Sequence, residues 1–69
     1  MDLALAIAKA RDWAGLTQEE LAIRMKTSQS AIARLERGHV LPSVKTLKKI
    51  AEATGTQLVI SFVSKGRRR

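Results

Sequence analysis

Two helix-start signals lie so close together that almost no chain is left between the helices they open. Thr17 is followed three residues later by Glu20. This is the pattern of a capping box, in which the threonine oxygen accepts from the glutamate backbone N–H and the carboxylate reaches back. Ser28 is the next capping residue. The first helix of the pair is expected over residues 17–25 and the second over 28–37, with Gly38 closing it. With Ser28 counted as the cap outside the second helix, about three residues remain for the turn, so the two helices must cross sharply. Each has an apolar face to bury: Leu21, Ala22 and Met25 on the first, Ala31, Ile32 and Leu35 on the second.

The rest of the chain reads around that pair. Asp2 to Ala14 is an Ala- and Leu-rich helix with Leu3, Ile7, Ala10 and Ala14 as its stripe, and Gly15 is its left-handed stop. Ser43, after Pro42, caps a fourth helix with Val44, Leu47, Ile50, Ala51 and Thr54 facing inward, and Gly55 ends it. Residues 57–63 then change period to an apolar, β-branched run that reads as a strand. A lone strand leaves its backbone groups unpaired. The simplest partner is the same strand of a second copy, paired antiparallel across a two-fold axis. In that strand Leu58, Ile60 and Phe62 share the face that packs on the helices, with Val59, Ser61 and Val63 on the other. A fifth helix or a frayed apolar tail is the alternative. The expected organisation is one domain over 1–64, followed by a basic tail over 65–69.

Composition narrows the chemistry. Thirteen Lys and Arg oppose six Asp and Glu, a net charge of +7. Even without Lys65 and the three terminal arginines, the bases outnumber the acids. Such a balance suits a polyanion. There is no cysteine and only one histidine, His39, so neither a disulfide nor a Cys/His metal cluster is available. A reducing cytoplasm is compatible with that usage and is the expected location. No metal, cofactor or catalytic constellation is expected, and an enzyme reading finds no nucleophile–base pair. No apolar run approaches the roughly 20 residues of a membrane span, and no signal peptide is visible at the N-terminus. Two aromatic residues, Trp13 and Phe62, are too few for stacking on single strands.

What remains is duplex DNA. The outward side of the second helix of the pair carries Gln29, Ser30, Ala33, Arg34 and Arg37. Gln29 suits adenine N6 and N7, and Arg34 suits guanine O6 and N7. Ser30 can donate or accept, and the Ala33 methyl can touch a thymine methyl. Backbone phosphates are expected at Gln18, at the start of the first helix of the pair, at Thr27 in the turn, and at Arg37, His39 and Lys45 beyond it. Lys48, Lys26 and Arg24 are weaker candidates. Glu36 falls at the edge of the core face and needs a partner, which Arg11 can supply as a structural ion pair. Ile23 and Trp13 lie off the buried stripes and suit a protein contact.

Residues 11–55 resemble the Cro/cI, or XRE, type of helix-turn-helix domain. The resemblance rests on Arg11, on Gly15-Leu16-Thr17-Gln18-Glu19-Glu20-Leu21-Ala22, on Ser28 through Gly38, and on Pro42 and Leu47. It implies an all-α, lambda-repressor-like domain of four to five helices, bound as a homodimer to a near-palindromic operator. It also implies that Gln18 clamps a phosphate and that Gln29, Ser30 and Arg34 read bases. The chain departs from phage repressors after the fourth helix. Its ending is similar to antitoxins of the HipB and HigA kind, which implies a transcriptional repressor with a cognate toxin as a further partner. The alternative is an architectural or phage-type DNA-binding regulator with no toxin.

Overall fold

The computed structural model describes residues 2–66 and contains, within them, four helices: α1 (Leu3–Trp13), α2 (Gln18–Met25), α3 (Gln29–Glu36) and α4 (Val44–Thr54). Each start is set by a side chain that accepts from an otherwise unpaired backbone N–H. Asp2 caps α1, Thr17 caps α2, Ser28 caps α3 and Ser43 caps α4. The capping box at α2 is complete. Glu20 N–H donates to Thr17 Oγ1 at 3.0 Å, and Thr17 N–H donates to Glu20 Oε1 at 2.8 Å. The local signals therefore act as read.

The ends are equally local. Each helix closes with an N–H from beyond the left-handed residue reaching back to a carbonyl in the last turn: Leu16 to Arg11, Thr27 to Ala22, His39 to Arg34 and Thr56 to Ala51. At three of these ends the left-handed residue is glycine. At α2 it is Lys26, at φ 57°. A side chain in that conformation costs roughly 1–2 kcal/mol, and here it lets the Thr27 N–H reach back to the Ala22 carbonyl. Lys26→Gly is therefore expected to stabilise the fold by about 0.5–1 kcal/mol after the greater entropy of unfolded glycine is deducted. A urea midpoint that stays put or falls would show that Lys26 carries no such strain.

α1 and α2 each pack on both α3 and α4. The core lies where the four meet: Ile7 from α1, Leu16, Leu21, Ala22 and Met25 from α2 and its approach, Ile32 and Leu35 from α3, and Ile50 from α4. Leu21 and Ile32 are completely buried, each contributing about 1.5–3 kcal/mol relative to exposure. Leu16 and Val40, outside any helix, also serve this core. Their burial follows from how the loops cross, which no periodicity signals.

Two expectations about packing need correction. Val44 is half exposed at 52%. The buried arc of α4 is centred between Ile50 and Thr54, and Val44 lies about 100° round the helix from that centre. Residues 57–63 have no regular secondary structure in the single chain. Leu58 is half-buried, but Ile60 is largely exposed at the rim of the α1/α4 seam and Phe62 stands clear of the helices of its own chain. The reason is that a strand exists only by bonding to a neighbour, and among the described residues there is no other strand. Of the basic tail, only Lys65 and Gly66 fall within the described residues.

Candidate nucleic-acid interface

α3 presents the surface expected of it. Gln29, Ser30, Arg34 and Arg37 are exposed, Ala33 is half-buried between them and the core, and Ile32 and Leu35 anchor the opposite side. Among the described residues, the Arg34 guanidinium makes no intramolecular hydrogen bond or ion pair. Its five donors are free for an external acceptor. The helix beneath is rigidly held, because its cap, its Gly38 stop and its core face are all satisfied.

A network at the back of α3 fixes how that helix sits against α1 and α2. Arg11 Nε donates to Glu36 Oε2 at 2.6 Å, and Arg11 Nη2 donates to Glu36 Oε1 at 2.9 Å. This is the bidentate geometry that makes arginine–carboxylate pairs strong. Arg11 Nη1 also donates to the Leu16 carbonyl at 2.8 Å, tying down the loop into α2. Gln18 Nε2 donates to Glu36 Oε1 at 3.1 Å. A carboxylate only accepts, so this bond also fixes which way the Gln18 amide is turned. One amide N–H then remains for another acceptor. Burial by itself would push the Glu36 carboxyl up. The hydrogen bonds from Arg11 and Gln18, with the charge of Arg11, outweigh it and hold the pKa below the ordinary value.

The remaining candidates divide by position. Thr27, His39 and Lys45 are exposed, as is Lys48. Thr27 and Arg34 line one cleft together with Lys26 and Lys49, between the turn, α3 and α4. Lys49 had no place in the sequence reading, although its neighbours Lys45 and Lys48 did. The signal was the cluster itself, but only the packing of α4 shows which lysine faces the cleft. Arg24 turns elsewhere: its Nη1 donates to the Ala53 carbonyl at 3.0 Å and braces α2 against the end of α4. Trp13 and Ile23 are exposed at 74% and 70%, so each is an apolar side chain facing water. Among the described residues no group of three or more His, Cys, Asp or Glu side chains is placed to hold a metal ion, and no helix is long and apolar enough to cross a membrane.

Comparison with known proteins follows the same outline. A family model described as "Helix-turn-helix" matches residues 7–60, a span that includes all of α2, α3 and α4. Over 52 residues the chain is 44% identical to a protein of Sinorhizobium fredii (strain NBRC 101917 / NGR234) named as an uncharacterized HTH-type transcriptional regulator, y4dJ. The aligned stretch covers 75% of this chain and 68% of that protein.

Proposed function

The chain belongs to the helix-turn-helix family of DNA-binding domains, and from that premise we propose that it is a sequence-specific transcriptional repressor acting as a homodimer on a near-palindromic operator. The observation that carries the reading is the free outward face of α3. Gln29, Ser30 and Arg34 are exposed on a helix whose other side is locked into the core. A major groove admits such a helix, and these side chain types match base edges. Gln18, Thr27, Arg37, His39 and Lys45 grip the phosphates on either side, with Lys26 and Lys49 added from the cleft beside Arg34. The net charge of +7 favours the encounter.

Homodimerisation is the part of the proposal that residues 57–63 support. They form an uncharged apolar run that includes Leu58, Val59, Ile60 and Phe62, largely exposed in the single chain. Two copies of a helix-turn-helix unit read two half-sites about one helical turn apart. The toxin-binding setting is a narrower version of the same reading. It draws on exposed Trp13 and Ile23, apolar side chains that a protein partner would cover.

Selection of preferred duplexes from a random pool tests the proposal. A repressor of this kind enriches a near-palindromic site and binds it at least about 1000-fold more tightly than random DNA at physiological salt. An architectural binder working by charge alone would enrich nothing, and all its affinity would vanish with added salt. That result would overturn the base-reading assignment.

A further inference from the structure

An apolar groove runs along the seam of α1 and α4, floored by Leu3, Ala6 and Ala10 from one helix and Leu47 and Ala51 from the other. The chain's own C-terminal segment forms its outer wall, through Leu58, Val59, Ile60 and Val63. Phe62 is the apolar residue of that segment that does not line the groove. It stands fully in water at 101% exposure. Among the described residues, no backbone hydrogen bond involves residues 57–63, so their N–H and C=O groups are free to pair with another strand.

We infer that Phe62 is seated in this groove on a second copy of the chain. The inference rests on the homodimer proposed above and adds the surface that receives the segment. Full antiparallel overlap of residues 57–63 about a two-fold axis places Ile60 opposite its own copy and Phe62 opposite Leu58 of the second copy. Opposed residues share one face of the ribbon, with Cβ atoms about 4.5–5.5 Å apart. Leu58 is the half-buried residue of the segment and borders its own α1/α4 groove. The side chain beside it therefore sits over that same groove. Ala6 and Ala10, one turn apart on α1, leave space for an aromatic ring. The exchange is reciprocal, so it closes at two copies and does not propagate. The run from Gly55 to Ser64 holds no charged residue, so two basic chains meet there without direct repulsion.

The chain has no native cysteine, which makes cross-linking clean. An Ala6→Cys or Ala10→Cys chain carrying a size tag is mixed with a Phe62→Cys chain and mildly oxidised. A disulfide-linked mixed dimer is expected, and none when Asp12→Cys, exposed on the opposite side of α1, replaces the groove variant. Phe62→Ala leaves the helical signal intact, since the side chain is exposed in its own chain. It is expected to raise the dimer dissociation constant about 100-fold, because two buried rings are lost. A dimer that survives Phe62→Ala unchanged and gives no groove cross-link overturns the seat but leaves the paired segments standing. Equal cross-linking at Asp12 does the same. A wild-type chain that sediments as a monomer at every concentration overturns the seat and the homodimer together.

Discussion

Replacement of Glu36 by alanine is expected to cost about 3 kcal/mol of folding stability and to lower Tm by roughly 12–24 °C. The Glu36 side chain is only 8% exposed and that of Arg11 20%, so water replaces the lost bonds poorly. The substitution strips two of the three bonds from the Arg11 guanidinium and the one partner of the Gln18 amide nitrogen. A domain this small has a total stability of about 3–10 kcal/mol, so one residue carries a large share of the margin. Arg11→Met combined with Glu36→Leu is expected to recover most of the loss, because an apolar pair leaves no buried charge behind. Thermal melts followed by circular dichroism decide it. A loss under about 0.5 kcal/mol for Glu36→Ala would mean that the pair behaves as an exposed surface contact.

The same network gives the fold an acid-sensitive limb. The Glu36 carboxyl titrates below its ordinary value of 4.5 in the folded chain. Its contribution is therefore fully present above that value and is lost as pH falls through the lowered one. Glu20, held down by its hydrogen bonds to Thr17, works in the same direction at the surface. Glu36→Gln should flatten the acid limb, while leaving the Glu20 part in place.

Replacement of Arg34 by alanine is the largest expected effect on DNA binding. It should weaken operator binding by about 1–3 kcal/mol, and it should relax preference at a single base position. Stability should hardly change, since the exposed guanidinium makes no bond within the chain among the described residues. That contrast separates the two large predictions: Glu36 acts on folding, Arg34 on the complex. Competition binding with single-base operator variants reads the difference. An equal loss on every duplex would reassign Arg34 to a phosphate, in keeping with its place in the cleft beside Thr27, Lys26 and Lys49.

Much of the framework was legible along the chain. Asp2, Thr17, Ser28 and Ser43 start their helices by bonds that reach three residues forward, and the stops at Gly15, Gly38 and Gly55 act within the last turn. Interactions of that reach depend on neighbouring residues and on little else. The outward side of α3 followed for the same reason, because helical periodicity needs only one fully buried residue such as Ile32 to set its phase.

What tertiary structure decided is everything that depends on how helices cross. The union of Arg11, Glu36 and Gln18 spans up to 25 positions. The identities of Arg11 and Glu36 suggested a pair, but the turn of the Gln18 amide came only with the fold. Arg24, a weaker phosphate candidate by sequence, bonds to the Ala53 carbonyl, 29 positions away. Leu16 is buried while Val44 is not, and Lys49 shares a cleft with Arg34. Residues 57–63 mark the furthest reach of this rule: their composition reads as a strand, but a strand is a property of two segments, and the single chain shows no regular structure there.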